Sequence, residues 1–146
     1  LADPGVMRYW PTCYSRDESV AWIRKQQDRY ATHGYGYWLV ILKESGEPVG
    51  QVGLMPMAID RVEETAIGYM IHRPFWRRGY AFEAAGASRD YAFDVLGKQR
   101  LVAPIRPENL PSQAIARKLG MTPGKRILYA GLEHVVFSVL RQSLEP

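Results

Sequence analysis

Residues 75–86 read FWRRGYAFEAAG: two arginines run into a glycine, and an alanine-rich segment follows at once. The first turn of a helix leaves backbone N–H groups without partners and carries a partial positive charge. A loop entering a helix here therefore suits a phosphate or pyrophosphate. Gly79 and Ala81 let an anion approach the backbone, and Arg77 and Arg78 add attraction and paired hydrogen bonds. Taken alone, the same residues also describe a basic surface turn. They are neither a Walker A loop, since no Gly-Lys-Ser/Thr follows, nor the dinucleotide G-x-G-x-x-G fingerprint.

The flanking segments narrow the choice. EETAIGYMIH (63–72) has the composition of a strand leading into the loop. After it, Phe82, Ala85, Tyr91, Ala92 and Val95 recur at mostly helical intervals from Ala81 to Leu96, and Gly97 is placed to end the helix. RLVAPI (100–105) reads as a strand, and Asn109 can cap a helix through LPSQAIARKLG to Gly120. Upstream, Glu18 to Tyr30 places Val20, Ile23, Gln27 and Tyr30 on one helical stripe, closed by Gly34 and Gly36. YWLVILKESGEPVGQVGLMPM (37–57) is two β-rich runs around a polar turn at Glu44–Glu47. RILYAG and HVVFSVLRQ predict a closing hairpin. The order is helix, two or three strands, helix, strand, helix, two strands, which is a mixed α/β class.

Composition bounds the rest. A chain of 146 residues, 47% hydrophobic and 23% charged, can bury one core but hardly two, so residues 1–146 are expected to form a single domain. No stretch has the length of a membrane span and no signal-peptide layout opens the chain, so a cytoplasmic location without membrane partners is expected. The one cysteine, Cys13, excludes an internal disulfide and a cysteine-based zinc site, and reads as a buried or half-buried thiol. No metal is expected. The net charge of +4 suits an anionic partner. Its basic residues are scattered, without a recognition helix, which makes a nucleic-acid module a poor fit.

Two segments together carry a resemblance. Trp76, Gly79, Ala81 and Glu83 are similar to the pyrophosphate loop of the GNAT superfamily of acetyl-CoA-dependent N-acetyltransferases, in the form found in its RimJ/RimL-type branch. Ile67, Gly68 and Tyr69 resemble the branch's E-I-G-Y strand, and Asn109, Ser112, Lys118, Gly120 and Met121 its Asn-x-x-Ser and Lys-x-Gly-Phe/Met positions. The resemblance implies a GNAT-like fold in which the strand Ala66 to His72 splays from the strand Leu101 to Ile105. The opening LADPGVMRYW resembles the end of the family's first helix, so the family's N-terminal strand is expected to be missing from this chain.

The resemblance also implies an activity: transfer of an acetyl group from acetyl-CoA to a primary amine, on a small molecule or a protein N-terminus, by direct attack. Backbone groups at Met70 and Ile71 would hold the pantetheine arm, and Arg77, Arg78, Gly79, Tyr80 and Ala81 the pyrophosphate. Asn109 and Ser112 would complete the acetyl-CoA site, with the Met70 N–H facing the thioester oxygen. The family's tyrosine proton donor is absent, since its position is Ala116, and Ser112 is the expected substitute. The branch's strand glutamate is Ala66 here; Glu63, Glu64 and His72 are the candidates for a base, histidine being a side-chain type suited to a base or water-relay role. Trp10, Tyr14 and His134 are expected on the acceptor side. The missing catalytic side chains keep a non-catalytic acyl-CoA-binding or sensor domain as the alternative. A homodimer is compatible with either reading, and oligomeric state stays open.

Overall fold

The computed structural model describes residues 1–144. In chain order the elements are α1 (Arg16–His33), β1 (Tyr37–Ile41), β2 (Pro48–Ile59), β3 (Val62–Ile71), α2 (Tyr80–Asp94), β4 (Arg100–Ile105), α3 (Leu110–Lys118), β5 (Thr122–Tyr129) and β6 (Leu132–Leu140). The strands form one mixed sheet in the order β1-β2-β3-β4-β6-β5. Every neighbouring pair is antiparallel except β3 and β4.

That exception shapes the molecule. β2 and β3 pair in register from Ile59↔Val62 to Gly50↔Ile71, turning through Asp60 and Arg61, both left-handed. β3 meets β4 only at Ala66↔Val102. Beyond that point the two parallel strands part toward their C-terminal ends, and a V-shaped cleft opens between them, as the resemblance implies.

Alternation along the strands divides the apolar residues between the two faces of the sheet. On one face Leu54, Ile67, Leu101, Ala103 and Phe137 pack with Ala85, Ala92 and Phe93 of α2. On the other, Met57, Ile59, Ala66, Val102 and Val136 form a smaller cluster. α2 approaches the sheet through small side chains: Ala85, Ser88 and Ala92 are buried with Phe93, while Phe82, Tyr91 and Val95 of the expected stripe are exposed.

The first helix also departs from its predicted stripe. Ser15 and Glu18 form a reciprocal capping box that starts α1 two residues before the expected Glu18, and Gly34 ends it in the left-handed region at φ 76°. Val20, Ile23 and Tyr30 are exposed; Ile23 retains 56% of its surface. The inward side carries Trp22 and Gln26 instead. Trp22 Nε1 donates to Gln51 Oε1 at 2.8 Å, and the Tyr37 N–H donates to Gln26 Oε1 at 3.1 Å. α1 docks by satisfying polar groups along the β1–β2 edge, which an apolar periodicity does not register.

The closing hairpin begins at Thr122, earlier than expected, with a register shift between Pro123 and Arg126. Residues 4–12 form turns and bends rather than a helix end, and Cys13 is exposed rather than buried. Among the described residues no helix is long and apolar enough to cross a membrane.

Candidate active site

The cleft is lined by backbone before it is lined by side chains. In an antiparallel pair, successive residues turn their N–H and C=O groups to opposite sides. The His72 N–H donates to the Val49 carbonyl at 2.8 Å, so His72, Met70 and Gly68 face β2. The Leu54 N–H donates to Gly36 on the β1 side at 3.1 Å, which fixes the same phase from the neighbouring strand. Tyr69 and Ile71 therefore present their backbone groups to the gap beside β4. The expected Met70 donor is thus corrected: its N–H is directed at Gln51 of β2, and the open N–H groups belong to Tyr69 and Ile71. The Ile71 carbonyl accepts from Trp76 Nε1 at 2.6 Å, which anchors the following loop to the end of β3.

At the mouth of the cleft stands the start of α2. Its first intrahelical bond runs from the Glu83 N–H to the Gly79 carbonyl at 3.0 Å, leaving the Tyr80, Ala81 and Phe82 N–H groups ahead of the ladder. Gly79 (φ 82°) and Arg77 (φ 61°) are both left-handed, a succession that curls the loop's backbone into a concave turn. A Cβ built on Gly79 would meet nothing within 4 Å, so the space before it is open. This part of the cleft is a lobe of about 520 Å³. Its charged side chains are Arg8, Arg77, Arg78 and Lys118, with no carboxylate among the lining residues. Four cations around helix N–H groups make a field suited to a polyanion.

A second lobe of about 290 Å³ continues inward, sharing Tyr9, Trp10, Tyr69, Asn109 and Ser112 with the first. Its wall is aromatic. Trp10 meets Tyr14 edge to face at 6.5 Å and Trp22 at 6.4 Å, and Trp22 meets Tyr37 at 5.2 Å. Gly68 lacks the Cβ that would lie 1.8 Å from the Tyr37 hydroxyl, so the glycine of the Ile-Gly-Tyr segment makes room for this ring.

Beside the junction between the lobes a hydrogen bond spans the V. The Tyr69 hydroxyl donates to the Ser112 carbonyl at 2.8 Å, tying β3 to the first turn of α3. Burial pushes the Tyr69 phenol well above its ordinary value and outweighs the hydrogen bond to Ser112, so the group keeps its proton. Tyr37 is raised in the same way by burial. Asn109 Oδ1 accepts from the Ser112 N–H at 3.2 Å, capping α3 and fixing both residues at the junction. His134 lines the inner lobe, with Nδ1 at 2.9 Å from the Leu132 carbonyl. Because a carbonyl only accepts, Nδ1 carries a hydrogen, and in the neutral ring Nε2 is the nitrogen with the lone pair.

The structure thus brings Met70, Ile71, Arg77, Arg78, Gly79, Tyr80 and Ala81 to the outer lobe, Trp10, Asn109 and Ser112 to both, and Tyr14 and His134 to the inner one. It does not bring His72. That residue is exposed, lines neither lobe, and turns its ring toward Phe75 at 6.1 Å, because the chain bends out of the strand after Ile71. Glu64 pairs with Arg100 at 3.2 Å and Glu63 is exposed, both outside the cleft lining. Sequence reasoning missed the Tyr69 phenol, the aromatic Tyr9 and Tyr37, and the cations Arg8, Arg106 and Lys118. Tyr69 and Lys118 had a local signal, since both lie within matched motif segments. The others are assembled by the fold. Among the described residues, no group of three or more His, Cys, Asp or Glu is placed to hold a metal ion.

Comparison with known proteins converges on one family. The family model described as "Acetyltransferase (GNAT) domain" matches residues 1–122. The chain is 35% identical over 125 residues to the protein YkkB of Bacillus subtilis, covering 86% of this chain and 73% of that one. An acetyltransferase structure from Agrobacterium tumefaciens superposes with a TM-score of 0.83 at 26% identity, covering 96% of this chain and 80% of the other. A Vibrio cholerae structure, described as a proposed ribosomal-protein-serine acetyltransferase, gives 0.74 at 26% identity, with coverages of 92% and 80%.

Proposed function

The chain belongs to the GNAT acetyltransferase family, and on that premise we propose that it transfers an acetyl group from acetyl-CoA directly to a primary amine. The observation carrying this reading is the continuity of the two lobes. A cationic, N–H-rich lobe suited to pyrophosphate runs along the open Tyr69–Ile71 backbone into an aromatic lobe of small-molecule size. Asn109, Ser112 and Tyr69 sit where the two meet, which is where a thioester would have to be presented.

Each demand of the chemistry has a candidate there. The pantetheine arm pairs with the Tyr69 and Ile71 backbone as an added strand, while N–H groups from Arg77 to Ala81 grip the pyrophosphate. In the transfer, the amine lone pair forms the N–C bond as the C–S bond breaks. The Tyr69 N–H faces the thioester oxygen as charge builds on it. His134 Nε2 receives the amine proton, directly or through water. The leaving thiolate accepts a hydrogen bond from the Ser112 hydroxyl and takes its proton from solvent, the amine's own proton having gone to His134. Acceptor contacts fall to Trp10, Tyr14 and His134.

The likeness to the Vibrio cholerae structure supports the proposed place in the RimJ/RimL-type branch; a cytoplasmic setting belongs to the same proposal. Thiol release from acetyl-CoA in the presence of a panel of amines and N-terminal peptides tests the proposal. Acceptor-dependent release supports it. Acetyl-CoA binding without release for any acceptor would instead favour a sensor domain.

A further inference from the structure

The inner lobe carries a charge pattern that bears on its acceptor. Its lining includes no aspartate, glutamate or lysine, and Arg106 is its one permanent cation. Arg106 follows the last residue of β4. Its carbonyl accepts from the Asn109 N–H at 2.9 Å, closing a turn that keeps the two Cα atoms within about 7 Å. Arg106 therefore lines the inner lobe together with Asn109 and Ser112 of the junction.

The hydrogen bonding of Arg106 is incomplete. One terminal nitrogen, Nη2, bonds Glu108, whose side chain stays half exposed. Nε is buried and, among the described residues, meets no acceptor. A guanidinium matches a carboxylate through two parallel N–H groups, and because a buried donor without a partner costs free energy, a shift of this side chain that gave Nε a carboxylate partner would be favoured. The surrounding walls, Trp10, Tyr14, Tyr37 and Tyr129, suit an apolar or aromatic side chain.

Resting on the acetyl-transfer reading, we propose that the acceptor is an α-amino acid, or a close analogue, whose carboxylate is held by Arg106 beside the amine being acetylated. A polyamine is disfavoured by the same pattern: its remaining ammonium groups would meet a guanidinium and no carboxylate. A protein N-terminus has a neutral peptide carbonyl where this site offers a cation.

The test compares phenylalanine with phenylalaninamide as acceptors, and N-acetylphenylalanine with its amide as ligands whose binding needs no turnover. Wild-type protein is expected to prefer the carboxylate member by about tenfold or more, in KM for the acceptors and in Kd by calorimetry for the acetylated pair. Arg106→Gln should abolish the preference. Comparing wild type with the variant cancels the intrinsic reactivity of each amine. Glu108→Gln, which releases the guanidinium from its exposed partner, should strengthen the preference.

Equal binding of N-acetylphenylalanine and its amide, or a preference that survives Arg106→Gln in a folded protein, would overturn the assignment. So would binding of neither. A preference in binding without thiol release would leave the Arg106 site standing and refute acetyl transfer, so the two failures are separable.

Discussion

Replacing Gly79 by glutamate puts a carboxylate at the mouth of the outer lobe, directly before the free N–H groups of α2. Nothing lies within 4 Å of a Cβ at this position, so the side chain has room. The φ of 82° imposes a left-handed strain of about 1–2 kcal/mol on any non-glycine residue. That strain is present with and without ligand, so it lowers stability and leaves affinity unchanged. The charge acts differently. A carboxylate about 6 Å from a phosphate charge, at an effective dielectric of about 20, is repelled by about 3 kcal/mol. Screening over a Debye length of about 8 Å halves this to about 1.3 kcal/mol. Gly79→Glu should therefore weaken CoA binding roughly tenfold by calorimetry, with a loss that shrinks as salt rises. Gly79→Ala carries the strain without the charge and should bind within about threefold of wild type. Wild-type affinity in a folded Gly79→Glu protein would refute the pyrophosphate assignment. Equal losses in both variants would show that loop shape, not charge, governs the site.

Three further outcomes follow from the inner lobe. Gly68→Ala sets a Cβ against the Tyr37 hydroxyl and should cost about 1–3 kcal/mol in denaturant unfolding; Tyr37→Phe in the same chain should restore much of it, and no rescue would contradict the packing account. Tyr69→Phe removes the tie to Ser112 and should cost about 1 kcal/mol at neutral pH. Because the fold raises this phenol's pKa, its contribution is complete below about pH 10 and fades as pH climbs toward the folded value, so the gap to wild type should narrow there. A gap constant through alkaline pH would dismiss the phenol as the titrating group. His134→Gln should lower kcat/KM by about tenfold or more with little change in stability, whereas loss of a purely structural histidine would lower stability and leave kcat/KM of the folded protein near wild type.

Much of this architecture could be read from residue patterns, and the failures share a cause. The order of elements, the loop at Gly79 and the cap at Asn109 are local features, written in glycines, capping residues and the alternation of apolar side chains. What escaped depends on phase and assembly. Met70 and Tyr69 are neighbours in one strand, and which of them turns its N–H to the cleft depends on the β2–β3 register, not on either residue's identity. The α1 stripe was misread because Trp22 and Gln26 dock through hydrogen bonds, while the more apolar Val20 and Ile23 stay outside. His72 looked like a cleft residue on strand numbering, yet the chain bends away after Ile71. Arg8, Lys118 and Arg106 reach the cleft from segments far apart in sequence, so no single window contains their convergence.

The most direct test of the whole account is a crystal structure with acetyl-CoA bound. The pyrophosphate should lie within hydrogen-bond distance of the backbone N–H groups between Arg77 and Ala81, and the pantetheine should pair with Tyr69 and Ile71 rather than Met70. The thioester should end among Tyr69, Asn109 and Ser112, opening toward the aromatic lobe. A ligand bound elsewhere, or one that leaves the splayed edge of β3 unpaired, would contradict the central claim.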